Sequence, residues 1–500
     1  MREDLVPLSE LGRSLGALVL ICFAAFGRAA ASAPSSDDWS DAVIYFIALD
    51  RFADGDSTNN RNADVAAKGA FHGGDLKGLI AQLDDIADLG VTALWITPVV
   101  KNIDGYVSGA GFPDWAYHGY WADDLTRLDP RFGTEKDLAE LVGECHQRTM
   151  RILLDVVYNH VGYGSRYLTD PRTRTWLRST ETNTCGTTDE TMCVGGLPDW
   201  KTELQEVAEY LYAAHLGLAG RVGLDGFRLD TVKHVPHSFW QEHRRRSRAE
   251  LGPRFFLLGE VWGGDPDVLD PWFESDEMDA GLDFSFQGNV LGFLEGRGRA
   301  VAFDRYLRSR EKVRAGYRLA HYLSSHDVPT ALWTLHGDLE RFRLAAVLEF
   351  TTAGIPVVYY GEEVGRLGGE WPENRSDMPW GSRTVRPGGG LARNDSLRTD
   401  YKRLISIRRA NPALSRGYHQ SLLAEGNLLV FARRDSTSGD AVVVAINRGD
   451  DAVTGTVKAP EGWGSAPAWD AWSGTSVPIE DGAMKLALRG KSASIVIRSR

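Results

Sequence analysis

The segment GLDGFRLDTVKH at residues 223–234 is the first guide to the architecture, because in it an apolar run ends at an acid, Asp230. Three other segments have the same form: ILLDVVYNH at 152–160, FFLLGEVW at 255–262 and HYLSSHD at 321–327. Short apolar runs separated by helical stretches are typical of buried parallel strands. In a parallel barrel, the carboxyl ends of the strands meet at one mouth. The pattern therefore predicts that Asp230, Glu260 and Asp327 converge there.

Strand and helix signals alternate from about residue 41 to residue 411. Besides the four segments above, strands are predicted at VIYFIAL, TALWITP, AGLDFSF and IPVVYYG. Eight strands with helices between them favour an α/β fold, a closed (β/α)8 TIM barrel rather than an open doubly wound sheet. From residue 412 the pattern changes to strands without helices, such as LLVFA and AVVVAI. This predicts a C-terminal antiparallel β-sandwich domain.

One connection of the predicted barrel is unusually long. The residues between the third strand and the next helix are rich in Thr, Gly and Asp, and an excursion of about forty residues is normally functional or a small inserted domain. We therefore predict a first barrel part at 41–160, an inserted domain at 161–200, a second barrel part at 201–411 and the β-domain at 412–500.

Composition and the N-terminus bound the kind of protein. The 500 residues are 43% hydrophobic, and their formal net charge of −12 includes no long run of either sign. The lack of a basic patch argues against nucleic acid as a partner. An apolar stretch at 15–26, preceded by Arg13 and followed by small residues, has the layout of a secretory signal peptide, which we assign to 1–33. We therefore expect a secreted or periplasmic protein with no membrane contact after signal removal.

Three cysteines remain after this segment. Cys185 and Cys193 flank the polar loop CGTTDETMC, and an exported chain is expected to oxidise them to a disulfide, with two free thiols as the alternative. Cys145 lies in a helical pattern and is expected to be a buried, unreactive thiol.

The acids at the strand ends suit a particular chemistry. Arg228 precedes Asp230 by two residues, so on a strand both side chains lie on one face, where the guanidinium would keep the carboxylate ionised. Glu260 lies among apolar residues, which raise a carboxyl pKa and suit a proton donor. One ionised and one protonated carboxyl are what glycoside hydrolysis requires. The alternative for each acid alone is a structural ion pair, but several acids at successive strand ends favour catalysis.

These motifs resemble those of the α-amylase family of retaining glycoside hydrolases. DVVYNH, GFRLDTVKH, GEVW and SSHD are similar to its four main motifs in order, and GVTALWITP, LPDW and GIPVVYYGEE to its secondary ones. The resemblance extends from about residue 43 into the C-terminal domain. It implies that Asp230 is the nucleophile and Glu260 the acid/base. Asp327 would stabilise the distorted sugar without bonding to it.

The resemblance also implies a set of substrate-binding residues. They are His118, Tyr120, His160, Arg228, Lys233, His234 and His326. The histidines at 118, 160 and 326 are expected to hydrogen-bond the sugar beside the scissile bond, and the tyrosine is expected to stack on it. The Lys–His pair is typical of members that act on α-1,4-linked glucans, on the leaving-group side. The alternative interpretation of this pair is two solvated cations at the start of a helix.

Two calcium sites are implied in the same way. The first would clamp the inserted domain to the barrel through Asn159, Asp199 and the carbonyl oxygen of His234. The second resembles an additional site of cyclodextrin glucanotransferases and some bacterial amylases. Its members are Asp54, Asp56, Asn59, Asn60, Gly73 and Asp75. Clustered oxygens suit Ca²⁺, the hard cation available outside the cell, whereas the alternative for the second set is a solvated turn.

The sequence also departs from the family. SSHD replaces the commoner asparagine-histidine-aspartate motif, and no β-sandwich precedes the barrel, which argues against the cyclodextrin-hydrolysing branch. ENRSDMPW at 373–380 is nevertheless similar to that branch. We therefore expect a monomeric, calcium-dependent, endo-acting α-amylase that hydrolyses internal α-1,4 bonds of starch, glycogen or maltodextrins with retention. The alternative is a maltogenic, cyclodextrin-hydrolysing or transglycosylating relative, whereas a non-catalytic sugar-binding relative is disfavoured because the acids are kept.

Overall fold

The computed structural model describes residues 39–109 and 111–498. Its strands are β1 (Ile44–Ile47), β2 (Ala93–Ile96), β3 (Val100–Asn102), β4 (Ala122–Leu128), β5 (Arg151–Val156), β6 (Leu177–Arg178), β7 (Asp199–Trp200), β8 (Gly226–Leu229), β9 (Phe256–Gly259), β10 (Ala280–Asp283), β11 (Arg318–His321), β12 (Ile355–Tyr359), β13 (Tyr418–Glu425), β14 (Leu428–Arg434), β15 (Ala441–Asn447), β16 (Val453–Lys458), β17 (Ala468–Asp470), β18 (Thr475–Val477), β19 (Ile479–Glu480), β20 (Ala483–Leu488) and β21 (Ser492–Ile497). Its helices are α1 (Leu76–Ala81), α2 (Leu83–Leu89), α3 (Glu135–Gln147), α4 (Gln205–Val222), α5 (His237–Leu251), α6 (Pro266–Glu274), α7 (Phe286–Leu294), α8 (Ala300–Ser309), α9 (Ala331–Thr334), α10 (Leu339–Thr351), α11 (Asp395–Ala410) and α12 (Ala413–Arg416).

Eight of these strands form a closed parallel barrel. Around it the order is β1, β2, β5, β8, β9, β10, β11 and β12, with β12 pairing back to β1. Every residue in these strands except Arg318 is buried. Burial on both faces explains why the strands read as continuous apolar runs rather than as alternating ones. The prediction of a (β/α)8 barrel is confirmed.

Two predicted elements differ in length from those observed. The strand expected at AGLDFSF ends at Asp283, because α7 begins at Phe286. The helical pattern that follows β1 forms two helices, α1 and α2, which meet at Gln82. Gly90 ends α2 with φ at 95°, a left-handed conformation that glycine adopts without a Cβ clash.

The segment between β5 and α4 leaves the barrel and returns to its mouth. It contains the two-stranded sheet of β6 and β7 and a disulfide between Cys185 and Cys193, which confirms the expected pairing. His160 and Asp199 pair in an isolated β-bridge, so the end of the segment lies beside the third barrel strand's loop. In α3, Cys145 is buried, and burial raises the pKa of its thiol.

The C-terminal domain consists of a six-stranded antiparallel sheet and a three-stranded one. On β14, Leu429 and Phe431 pack into the core that includes the barrel, whereas Leu428 and Val430 pack between the two sheets. Because both faces of β14 are buried, LLVFA is uniformly apolar. The predicted antiparallel C-terminal domain is confirmed.

The N-terminal segment assigned as a signal peptide, 1–33, lies outside the described residues. Among the residues that the structure describes, no helix combines the length and the apolar character needed to cross a bilayer.

Candidate active site

The register of two neighbouring strands places Asp230 and Glu260 at the same level of the barrel mouth. Leu229, the last residue of β8, pairs with Gly259, the last residue of β9. The next residue of each strand is one of the two acids, and the amide of Glu260 donates to the carbonyl oxygen of Leu229 at 2.9 Å. Asp230 and Glu260 therefore follow the ends of adjacent strands at the same height in the barrel.

Arg228 connects three carboxyl groups in this mouth. Its Nη1 donates to Oδ1 of Asp230 at 2.6 Å and to Oδ1 of Asp155 at 2.9 Å, while Nη2 lies 2.9 Å from Oε1 of Glu260. The side chain of Arg228 is 1% exposed, so these charge-assisted contacts lie in a low-dielectric interior. One guanidinium that spans two carboxyls favours a separation of about 5 Å, as in retaining glycosidases, over the roughly 6.5–9.5 Å of inverting ones.

Glu260 holds its proton more tightly than an ordinary glutamate. Burial raises the pKa of Glu260 to about 8, with Arg228 opposing and the charges of Asp230 and Asp327 adding to the rise. Its Oε2 accepts a hydrogen bond from the backbone N–H of Thr231 at 2.8 Å. The carboxyl is therefore protonated near neutral pH, which is the state that a general acid requires.

Asp155 is a buried member of the site that sequence reasoning missed, although it lies in the quoted motif DVVYNH. It pairs in register with Arg228 across β5 and β8. Its Oδ2 accepts from the hydroxyl of Tyr120 at 2.7 Å and from Nε1 of Trp95 at 3.0 Å. Burial raises the pKa of Asp155 to about 7. An acid one residue before the end of a strand, beside an arginine on the next strand, was the available signal.

Asp327 lies on the loop after β11 and is the most accessible of the three predicted acids. Its side chain is 27% exposed, with Oδ2 at 3.2 Å from Nε2 of His326 and Oδ1 at 3.3 Å from Nη2 of Arg375. Arg375 was missed because it lies 48 residues further along the chain. It belongs to ENRSDMPW, the segment that resembles the cyclodextrin-hydrolysing branch.

The predicted sugar-binding histidines are buried and neutral. The rings of Tyr120 and His326 stack with centroids 5.4 Å apart, and those of Tyr120 and His118 lie 5.6 Å apart. Burial lowers the pKa of His118, His160 and His326. Neutral imidazoles offer one donor and one acceptor each, which suits sugar hydroxyls. The structure thus brings these four predicted residues to the mouth that holds the acids.

Lys233 and His234 lie against the loop that the disulfide closes. Nδ1 of His234 lies 2.8 Å from the carbonyl oxygen of Asp189, and Nζ of Lys233 lies 4.0 Å from the carboxylate of the same residue. Asp189 lies between Cys185 and Cys193, so the disulfide-closed loop touches the pair implied for the leaving-group side. Sequence reasoning did not find this contact, because it joins segments far apart in the chain.

Trp262 adds an exposed aromatic surface two residues after Glu260. Its side chain is 54% exposed, and its ring centroid lies 4.9 Å from that of Phe284. An exposed indole beside a strand-end acid suits stacking on the apolar face of a sugar.

The first predicted calcium set is brought together. The side-chain amide of Asn159 lies 3.0 Å from Oδ1 of Asp199 and 3.0 Å from the carbonyl oxygen of His234. With its nitrogen facing them, the amide donates to both, and Nη1 of Arg178 donates to the other oxygen of Asp199 at 2.9 Å. The set fits Ca²⁺ only with the amide oxygen turned inward. With the nitrogen inward, it is a hydrogen-bonded clamp.

The second predicted calcium set fits a cation better. The Oδ1 atoms of Asn59 and Asn60 are buried and lack a hydrogen-bond partner among the residues that the structure describes. Their amide nitrogens donate to carboxylate oxygens of Asp75 and Asp54 at 2.9 and 2.8 Å. Gly73 closes the cradle, since a Cβ there would lie 2.6 Å from Oδ1 of Asn60. Two orphaned amide oxygens beside two carboxylates are the donors that Ca²⁺ prefers.

Asp56 is the exception in this second set. Its carboxylate accepts from Nζ of Lys77 at 2.6 Å and from the backbone of Thr58 at 3.1 Å. The structure therefore directs the Asp56 side chain to a lysine rather than to the two orphaned amide oxygens.

Comparison with known proteins agrees with this geometry. The profile of the alpha amylase catalytic domain matches residues 46–184 and 191–385. Neopullulanase 2 of Thermoactinomyces vulgaris is 32% identical over 494 residues, which cover 93% of this chain and 79% of that protein. A cyclomaltodextrinase of Geobacillus thermopakistaniensis strain MAS1 is 32% identical over 448 residues, which cover 83% and 70%. A solved Anoxybacillus alpha-amylase aligns with a TM-score of 0.80 at 30% identity, over 93% of this chain and 99% of that one.

The matched profile spans most of the barrel, and the sequence identity extends over nearly the whole described chain. The strand-end acids, their guanidinium bridge and the neutral histidines lie within the matched residues. The protein therefore belongs to the alpha-amylase family of glycoside hydrolases.

Proposed function

We propose that this enzyme hydrolyses α-1,4-glucosidic bonds of short and cyclic maltodextrins with retention of configuration. The observation that carries the chemistry is the guanidinium of Arg228, which bridges Asp230 and a protonated Glu260 on adjacent strands. The similarity to a neopullulanase and a cyclomaltodextrinase supports this substrate class over the endo-acting α-amylase expected from the sequence. Endo-acting hydrolysis of starch is the second candidate, which the Anoxybacillus alpha-amylase favours.

The first chemical step forms a glycosyl-enzyme. The ionised carboxylate of Asp230 attacks the anomeric carbon, and a C–O bond forms as the glycosidic C–O bond breaks. Glu260 transfers its proton to the leaving oxygen, so the released sugar leaves as a neutral alcohol. Asp327, the most accessible acid, would bind hydroxyls of the distorted sugar.

The second step returns the enzyme to its starting state. Glu260, now a carboxylate, removes a proton from water as the water oxygen attacks the anomeric carbon. The ester bond to Asp230 breaks, and the carboxylate is restored. Two displacements at one carbon retain its configuration.

Relative rates on a cyclic and a polymeric substrate test the substrate proposal. The exposed ring of Trp262 and the pair of Lys233 and His234 would bind the leaving-group sugars. We expect kcat/KM for β-cyclodextrin to exceed that for soluble starch, with short linear products in both cases. A preference for starch, with a rapid loss of iodine staining and no cleavage of cyclodextrin, would support the second candidate instead.

The pH dependence of kcat/KM should report the proton on Glu260. Because burial raises the pKa of Glu260 to about 8, the group donates its proton below that pH and has lost it above. We therefore expect kcat/KM to fall as pH rises through about 8. Glu260→Gln should remove this alkaline limb with an activated aryl glycoside. If the alkaline limb persisted in Glu260→Gln, its pKa would belong to another group.

Calcium at the second set would stabilise the loop after β1, so its role would be structural. The ligands of the ion would be Asn59, Asn60, Asp54, Asp75 and the carbonyl of Gly73. We expect chelation to lower the melting temperature by about 5 °C. Asp54→Ala should lose this response, whereas Asp56→Ala should keep it because its carboxylate pairs with Lys77. An equal melting temperature with and without chelator would refute the proposal.

The Asp54→Ala variant also tests the first calcium set. If its melting temperature still responds to chelation, a cation binds at the first set, with the Asn159 oxygen turned inward. If the amide nitrogen donates to Asp199 and His234 instead, the variant should be insensitive to chelation. The two sites are thereby separated.

The disulfide-closed loop should influence substrate affinity. Replacing both Cys185 and Cys193 with serine would free the loop that carries Asp189, and its contacts to Lys233 and His234 would weaken. We expect KM for β-cyclodextrin to rise about fivefold with little change in kcat. Glu190→Ala, a change at the exposed neighbour of Asp189, serves as the control. Unchanged KM in the serine variant would mean that the loop does not support substrate binding.

A location outside the cytoplasm and a monomeric state belong to the same proposal. The disulfide supports an oxidising compartment, and the pattern at 1–33 supports export. Cell fractionation with N-terminal sequencing of the mature enzyme, followed by light scattering, tests both.

A further inference from the structure

Thr231, directly after Asp230, has an unusual backbone. Its φ is 49° and its ψ is 43°, in the left-handed region. A β-branched side chain is strained there, and such strain persists where the surrounding structure enforces it, often at functional sites. The residue lies between the end of β8 and a short helical turn.

This backbone conformation lets one residue contact both acids. The N–H of Thr231 donates to Oε2 of Glu260 at 2.8 Å, and its hydroxyl donates to Oδ2 of Asp230 at 3.1 Å. The remaining oxygens, Oε1 of Glu260 and Oδ1 of Asp230, contact the guanidinium of Arg228. Each carboxyl thus has one oxygen on Arg228 and the other on Thr231.

We propose that Thr231 is a positioning residue that fixes the relative orientation of Asp230 and Glu260 through its hydroxyl and its left-handed N–H. The proposal rests on the proposed function, because it takes these two acids as nucleophile and acid/base. Arg228 alone holds one edge of each carboxyl. With the opposite edges on Thr231, neither carboxyl can rotate without breaking a hydrogen bond.

The two donors of Thr231 respond differently to substitution. The hydroxyl, which contacts Asp230, belongs to the side chain. Other charged or titratable groups also face Asp230. They are Tyr120, Asp155, His160, Arg228, Glu260 and His326. Only the contribution of the hydroxyl changes when the Thr231 side chain is replaced, since the N–H belongs to the backbone.

Thr231→Val and Thr231→Ser form the matched pair that tests this role. Valine keeps the branched shape without the hydroxyl, and serine keeps the hydroxyl without the branch. With an aryl α-maltoside, we expect valine to lower kcat/KM about tenfold. Serine should restore the rate to within about twofold of the wild type. A valine variant with the wild-type rate, or a serine variant as impaired as valine, would overturn the proposal.

Thr231→Gly separates positioning from stability. Glycine adopts the left-handed conformation without strain, so the melting temperature should rise while kcat/KM falls as in the valine variant. A glycine variant with full activity would overturn the role of the hydroxyl, even if the valine variant failed to fold.

Failure of this proposal differs from failure of the proposed function. If Asp230→Asn is inactive while all Thr231 variants behave as the wild type, only the role of Thr231 is lost. If Asp230→Asn is active, the catalytic assignment itself is lost, and the role of Thr231 with it.

Discussion

Replacing Asp230 with asparagine is expected to lower kcat by about 10⁴-fold or more, because the amide cannot form the glycosyl ester. The change is nearly isosteric, and an amide oxygen can still accept from Arg228 at the position where Oδ1 now does. The fold and the binding of β-cyclodextrin should therefore persist. Calorimetric binding and the melting temperature measure both beside the loss of turnover.

A matched control for this variant lies on α6. Asp267→Asn makes the same chemical change at an exposed position in the first turn of that helix, and it should leave kcat unchanged. Turnover in Asp230→Asn close to that of the control would contradict the assignment of the nucleophile.

Replacing Arg228 with leucine is expected to have the largest effect on stability. Its guanidinium is the cation in direct contact with three buried carboxyls, those of Asp155, Asp230 and Glu260. Removing one partner of a buried ion pair costs about 3–5 kcal/mol of unfolding free energy, because the remaining charge is left unpaired. Chemical denaturation of the variant and the wild type measures the difference.

The acids that remain in Arg228→Leu determine how the loss of stability changes with pH. Burial already raises the pKa of Glu260 to about 8 and that of Asp155 to about 7. Without Arg228 these values rise further in the folded state. A carboxyl whose folded pKa is raised stabilises the fold at low pH and loses that contribution as pH rises through the folded pKa.

The stability lost in Arg228→Leu should therefore be smaller at about pH 5 than at about pH 8. Arg228→Lys keeps the charge but not the two-armed fork, so it should retain more stability than leucine while losing activity. A stability loss independent of pH would show that lost packing, rather than unpaired charge, dominates.

The barrel and its main acids could be predicted because both depend on local patterns. Eight apolar runs with helices between them specify parallel strands, and an acid at the end of a run marks the mouth. Asp230 and Glu260 are adjacent in space because β8 and β9 are consecutive in the barrel and pair with equal register.

The site features that could not be predicted from the sequence depend on contacts between distant segments. Arg375 reaches Asp327, and Asp189 reaches His234, from loops whose courses no short pattern specifies. The left-handed backbone of Thr231 was not foreseen, because threonine ordinarily avoids that conformation. The orientation of the Asn159 amide also depends on partners in another segment.

Substrate preference could not be predicted from the motifs for the same reason. The motifs around the acids indicate the shared reaction, whereas product preference depends on the loops that surround the mouth. ENRSDMPW was similar to the cyclodextrin-hydrolysing branch, and in the structure its Arg375 contacts Asp327 directly. That loop is where the sequence already indicated the alternative that the relatives now favour.

Trapping the glycosyl-enzyme shows directly whether Asp230 is the nucleophile of a retaining mechanism. Glu260→Gln can neither protonate a leaving group nor activate water, but α-maltosyl fluoride needs no proton to lose fluoride. The variant should therefore accumulate a covalent adduct. Mass spectrometry of the intact protein and of its peptides is expected to find one maltosyl group on the peptide that contains Asp230. An adduct on another residue would exclude Asp230 as the nucleophile, and products of inverted configuration without any adduct would exclude the retaining mechanism.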